Sequence, residues 1–375
     1  AGELRTSASS TMSTWREDTS VGVGKAWHDV TSSSNGEKLV AVVRNGNMWR
    51  STDSGVNWIE IMSTGAAKNW WSITSSSDGT KLAAVVYLGN IWTSINSGVT
   101  WTPDTSVSAK KWMGVTLSSD GAKAVAVVEN GNIFRFTESG WGSPLENQAS
   151  TLGGTVAGTN EAVARATCVA DNNCKGIAFK FADGGTGGGA TGTYYTFTTG
   201  GTGPFTNWRT WLYTRGVQTI SVGGTKNWHG ITSSSDGTKI FATVKFGNIW
   251  RSIDSGTSWT EDASVGATKR WQDITSSSDG TKLAAVVYGG YIYTSINSGE
   301  TWIKDTSVGT IKTWFSITSS SDGSLLAATV LSVAATSNIF KSNDAGANWV
   351  EDTSPCSAKN WQGITSSSDG MKLIT

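Results

Sequence analysis

Histidine, cysteine and proline are nearly missing from this chain, at two, three and four residues in 375. The two histidines, His28 and His229, leave little scope for imidazole chemistry. Each reads as an ordinary position beside a tryptophan, since Gln272 and Gln362 fill the equivalent slot elsewhere. Two cysteines with no histidine near them make half a zinc site, so neither metal nor cofactor is expected. Charge is scarce too. Basic and acidic residues number 29 each, 15% of residues are charged, and the formal net charge is zero; about a quarter charged is usual. No basic run stands out, which sets nucleic acid and anionic membranes aside as partners. No apolar stretch has the length of a membrane span, so no membrane insertion is expected. No Asn-x-Ser/Thr acceptor occurs. The first residue is Ala and no signal peptide is in view, which reads as a processed mature chain, with a trimmed chain as the alternative; the expected location is secreted or on the extracellular surface.

What the chain has in abundance is repetition. The clearest copies are WQDITSSSDGTKLAAVVYGGYIYTSINSGETW from Trp271 and WWSITSSSDGTKLAAVVYLGNIWTSINSGVTW from Trp70. The lead residues Trp27, Trp70, Trp112, Trp228, Trp271, Trp314 and Trp361 are spaced by 43, 42, 116, 43, 43 and 47 residues. A unit of this length cannot bury its own apolar face and must stack on its neighbours. Each copy parses into four short strands rich in β-branched and aromatic residues, separated by SSSDG, Gly-rich and Asn-Ser-Gly turns. The second strand, LAAVV at 82–86 and 283–287, is apolar on both faces, as a strand between stacked sheets requires.

The pattern predicts an all-β fold: a seven-bladed β-propeller with four-stranded blades. The seventh copy stops after two strands, and residues 4–15 resemble the third and fourth strands of the other copies. Residues 1–15 are therefore expected to pair with 361–375 and close the ring, which removes open edges; an open solenoid is the alternative.

The long gap holds an insertion. The expected organisation is propeller at 1–141, a small inserted module at 142–213, and propeller again at 214–375. Within the insertion a helix is expected near 161–170 and strands at 176–181, 194–198 and 210–213. So small a module needs a staple. A Cys168–Cys174 disulfide would supply it and would imply an oxidising compartment; two free thiols are the alternative. Cys356 reads as a small buried apolar residue, or as one that pairs with another chain. The insertion is expected to leave the ring after Gly140, on the side of the third-to-fourth-strand turns.

Those turns read STDSGVNW (51–58), TSINSGVTW (93–101), RSIDSGTSW (251–259), TSINSGETW (294–302) and KSNDAGANW (341–349). They resemble the Asp-box, Ser-x-Asp-x-Gly-x-x-Trp, of sialidases, sortilin-type receptors and other extracellular propellers. Asp53, Asp254 and Asp344 match in full, Asn96 and Asn297 replace the acid, and Ser139-Gly140-Trp141 is degenerate. The resemblance implies a polar side chain that caps the hairpin over a packed Trp, and implies no activity. The repeats also look like tectonin-type lectin propellers. The insertion resembles an apple or PAN module through C-x5-C-x-G-x-x-F from Cys168 and W-x-x-W-L-Y from Trp208.

Function is less legible. A catalytic residue must be singular in a ring, yet Asp78, Asp120, Asp236, Asp279, Asp322 and Asp369 recur in register, and Arg50 and Arg251 share one slot. No nucleophile, base and orienter stand together, so no enzyme is expected, and a glycoside hydrolase ranks last. Repetition suits an extracellular, lectin-like propeller that binds neutral glycans or glycoproteins, because several weak sites gain by avidity. Stacking and hydrogen bonding would come from Trp27, Trp71, Trp271 and Tyr291 with Asn47 and Asn90, on the face of the fourth-to-first-strand linkers. Trp71 leads that group as an additional aromatic beside Trp70. The alternative is a structural subunit of a coat, fibre or appendage, whose partners are its own copies or other extracellular proteins.

Overall fold

The computed structural model describes residues 4–8, 15–18, 21–22, 24–138, 145–149, 155–158, 176–181, 192–197, 203–212, 215–266, 268–331, 338–352 and 361–375. Its contacts divide the chain into two compact units, Ala1–Arg135 with Gln218–Thr375, and Phe136–Val217. Every helix or strand among the described residues is a strand.

In the first unit each repeat folds as an antiparallel meander. One example runs Lys269–Ser276, Leu283–Gly290, Ile292–Ser295 and Ile303–Lys304. Its first turn is built by two side chains. The Ser277 hydroxyl donates to Asp279 Oδ1 at 2.6 Å and accepts the Lys282 N–H at 3.0 Å, while the Thr281 N–H donates to the same carboxylate at 2.9 Å. Gly280 has a φ of 66°, which an L side chain rarely adopts. These donors hold Asp279 down to a pKa of about 2. The third-to-fourth-strand hairpin uses the same device: Ser51 donates to Asp53 Oδ1 at 2.8 Å, and that oxygen accepts the Asn57 N–H at 2.9 Å.

The lead tryptophans close the seams between repeats. Trp70, Trp228, Trp271 and Trp314 have no exposed surface. The Trp271 indole donates to the Gly247 carbonyl of the preceding repeat at 3.1 Å and meets Tyr293 edge-on, with centroids 5.3 Å apart. A lysine from the linker covers the third-strand aromatic, as Lys68 does Trp92 at 4.9 Å and Lys226 does Trp250 at 4.6 Å.

The unit closes on itself. Leu4–Ala8 pairs with Lys372–Ile374, in a sheet ordered Trp15–Asp18, Leu4–Ala8, Lys372–Ile374 and Thr365–Ser366. Among the described residues, backbone N–H groups of Ser34, Ser77, Ser119, Ser235, Ser278, Ser321 and Ser368 each donate to the next serine's carbonyl. The last returns to Ser34, and all seven bonds span 2.6–2.8 Å. First strands also pack on one another in a cycle, with Trp27–Ser32 touching both Lys68–Ser75 and Thr365–Ser366.

The second unit is a five-stranded antiparallel sheet, ordered Leu145–Ala149, Gly203–Leu212, Gly176–Phe181, Gly192–Phe197 and Thr155–Gly158. Three of these correspond to the expected strands at 176–181, 194–198 and 210–213, the last being longer and starting at Gly203. The expected helix near 161–170 and Cys168, Cys174 and Cys356 lie outside the described residues.

Candidate functional site at the channel mouth

First strands of the repeats are not regular. Pairing with the second strand slips between Trp27 and Asp29, Trp70 and Ser72, Trp112 and Gly114, Trp271 and Asp273, and Trp314 and Ser316. A bulge sets two residues against one and re-aims a side chain. Here the tryptophan drops into the seam and its successor turns to the axis. His28, Trp71, Met113, His229, Gln272, Phe315 and Gln362 thereby line one cavity of about 290 Å³. The opposite end of the same strands lines a second cavity, also about 290 Å³, made of twenty residues that are all serine but Leu117.

Both histidines therefore sit in one site, although by sequence each reads as an ordinary position. His28 Nδ1 lies 2.7 Å from the Trp71 carbonyl, and His229 Nδ1 lies 2.7 Å from that of Gln272. A carbonyl only accepts, so Nδ1 carries the proton and Nε2 is left as the acceptor. Burial lowers both pKa values to about 4, against the opposing pull of those carbonyl bonds. The imidazoles are thus neutral at neutral pH.

The next slot holds two singular acids. Asp29 accepts the Val30 N–H at 2.8 Å and, across the seam, the Ile73 N–H at 2.9 Å. Asp273 repeats this with Ile274 at 2.8 Å and Ile317 at 3.0 Å, and also accepts the Ser316 hydroxyl at 2.9 Å. Desolvation nevertheless pushes Asp29 up to about 7, and Asp273 to about 6. Gly363 and Gly230 precede them around the ring. A Cβ on Gly363 would stand 2.7 Å from the Asp29 Cα, and one on Gly230 3.0 Å from that of Asp273, so these glycines permit the close approach.

Three cations complete the lining: Arg44, Lys245 and Arg270. Arg44 lies 5.0 Å from the Trp71 ring centroid and Arg270 3.7 Å from that of Tyr288. Trp71 itself is half-buried, with His28 at 4.5 Å on one contact and Tyr87 at 5.1 Å on another. It is not the only additional aromatic, because Phe315 occupies the same slot beside Trp314. No group of three or more His, Cys, Asp or Glu able to hold a metal ion occurs among the described residues.

The other residues named from the sequence are elsewhere. Trp27 and Trp271 are buried in seams, at 9% and 0% exposure, so their rings offer little surface to a ligand. Tyr291 is half-buried under Lys304, 3.6 Å from its centroid. Asn47 donates to Glu60 at 2.9 Å, and Asn90 is half-buried. The signal that would have found the mouth was in the repeats. The slot after the lead Trp carries five residue types in seven copies, where SSSDG barely changes.

No family model and no curated protein matches the chain. Solved structures do. A catalytically inactive variant of virginiamycin B lyase from Staphylococcus aureus, solved with quinupristin, aligns over 99% of this chain and 98% of its own, with a TM-score of 0.61 and 14% identity. The Cps50 (Swd1) β-propeller domain of Myceliophteria thermophila aligns over 100% and 98%, with a TM-score of 0.52 and 11% identity. At these identities the likeness shows the fold alone, a β-propeller. A structure of YCF48 bound to D1 peptide aligns over 96% and 82%, but its TM-score of 0.49 at 13% identity is too slight to argue from.

Proposed function

We propose that this chain is a secreted, non-catalytic binding propeller of seven Asp-box-type blades, and that its ligand is a glycan whose end enters the channel mouth. The Cys168–Cys174 disulfide belongs to the same reading. One observation carries the placement of the site. Within a chain of repeats whose turns barely change, the slot after the lead Trp carries five residue types in seven copies, and all seven residues line a single cavity. Turn chemistry is nearly the same from copy to copy, whereas a site for one ligand must break the symmetry. Aromatic walls from Trp71 and Phe315 with amide donors from Gln272 and Gln362 suit a sugar, whose ring has apolar faces and a hydroxyl rim. The mouth replaces the scattered linker-face set as the place where contacts concentrate.

The test is a glycan array with the full chain, followed by isothermal titration of any hit against Trp71→Ala, Gln272→Ala and Trp27→Phe. The reading predicts at least ten-fold weaker binding for the first two and little change for the third. No retained glycan, or equal retention by all three variants, rejects it.

A second reading is catalytic, and the histidine tautomers favour it. A neutral imidazole with a free Nε2 can accept a proton, although burial weakens it as a base, and one structural neighbour is a lyase whose histidine-to-alanine variant is catalytically inactive. Turnover of a bound glycan that is lost in His28→Gln or His229→Gln would select this reading over simple binding.

A further inference from the structure

Lys245 and Arg270 are cross-strand partners where Ile240–Gly247 meets Lys269–Ser276. Like charges directly opposite one another destabilise a sheet. Three equivalent seams avoid the conflict by pairing Arg44 with Asn69, Tyr87 with Lys111, and Tyr288 with Thr313. Among the described residues, the ion pairs are Lys111–Glu129, Arg251–Glu300 and Lys341–Asp352, and none includes either cation. Arg270 is set against Tyr288, and its Nε is buried with no hydrogen-bond partner. Other charged groups nearby do not relieve the pair. Glu129 is engaged by Lys111 at 3.8 Å and by the Tyr87 hydroxyl at 3.0 Å. Asp29 and Asp273 have both carboxylate oxygens accepting backbone N–H groups.

A matched pair of cations that faces a cavity whose two acids, Asp29 and Asp273, are already engaged by backbone N–H groups is open to an anion from outside. An ammonium and a planar guanidinium together suit the oxygens of one carboxylate or sulfate. We infer that Lys245 and Arg270 form an oxyanion subsite, and that the ligand entering the mouth is an acidic glycan whose uronate carboxylate or sulfate ester sits between them. The glycan half of this rests on the binding reading above; the oxyanion half stands by itself.

Thermal unfolding in sodium sulfate and in sodium chloride at matched ionic strength reads the subsite directly, because a ligand of the folded state raises the midpoint. Titration with an oligogalacturonate, a sulfated oligosaccharide and a neutral oligosaccharide reads the ligand and separates the two acid sources. The proteins are the full chain, Lys245→Gln, Arg270→Gln, Arg270→Lys and, away from the mouth, Arg50→Gln. Sulfate should raise the midpoint of the full chain and Arg50→Gln beyond its general effect. Both Gln variants should lose that excess and bind the acidic oligosaccharide at least ten-fold more weakly, with Arg270→Lys in between. The same sulfate increment in every variant overturns the subsite. Equal binding of neutral and acidic sugars by all variants also overturns it and leaves the glycan reading intact. A sulfate increment lost in the Gln variants with no sugar bound keeps the subsite and removes the glycan.

Discussion

The two ends of the channel are built on the same strands and enclose equal volumes, yet one end is serine at every lining position but Leu117, while the slot at the other carries five residue types in seven copies. At the serine end, side-chain hydroxyls reach across the seams to neighbouring carbonyls: Ser75 to Ser32, Ser276 to Ser233, and Ser366 to Ser319. Lysines do likewise, Lys239 to the Asp279 carbonyl and Lys282 to that of Asp322, both at 2.9 Å. These contacts join one repeat to the next. At the mouth, the lining residues vary between copies, burial pushes Asp29 up to about 7 and Asp273 to about 6, and two cations face each other.

The largest expected effect separates seam from mouth. Trp271→Ala removes a fully buried indole and should cost about 3–5 kcal/mol by urea denaturation, whereas Trp71→Ala should cost well under half of that. Comparable losses would make Trp71 another seam residue and erase the contrast. Next comes the equivalence of the serine end. Ser277→Ala leaves the Lys282 N–H without its acceptor and should cost about 1–2 kcal/mol, and Ser234→Ala should match it within about 0.5 kcal/mol. Unequal costs would mean that the serine end is not a uniform scaffold.

A smaller effect is the pH response of the mouth. Asp29 and Asp273 titrate higher in the folded state than in the unfolded chain, so their contribution is complete below about pH 4 and is lost as pH rises towards 7. His28 and His229 titrate lower, so their contribution is complete above about pH 6.5 and is lost as pH falls towards 4. The two slopes oppose each other across one window. Asp29→Asn should therefore gain on the parent chain as pH rises from 4 to 7, and His28→Gln should gain as pH falls from 6.5 to 4. Stability differences that do not vary with pH would deny the burial of these groups. Smallest of all, Lys245→Gln should raise stability by about 0.2–1 kcal/mol in salt-free buffer by relieving like charges; a loss would show that the pair is already neutralised within the chain.

Much of this frame was legible in the residues. The Trp spacing marks the repeats, SSSDG and the Ser-x-Asp/Asn-x-Gly hairpins mark the turns, and LAAVV marks a strand buried on both faces. Leu4–Ala8 pairs with Lys372–Ile374, as the half-copies at the ends anticipate. The mouth was not legible for a local reason. Strict alternation turns a residue after a buried Trp away from the Trp's side, but does not tell which way the bulge re-aims it. His28 and His229 therefore read as ordinary positions beside a tryptophan, and nothing in the repeat singles out Asp29 and Asp273. Their convergence is a property of ring closure, which brings together positions separated by 42 to 334 residues.

The most direct test of the division between scaffold and site is a crystal structure of the full chain soaked with the tightest glycan from the array. The account predicts ligand density in the mouth, against Trp71 and between Lys245 and Arg270, with the serine end unchanged. Density at the serine end or on an outer strand, with only solvent in the mouth, would contradict it.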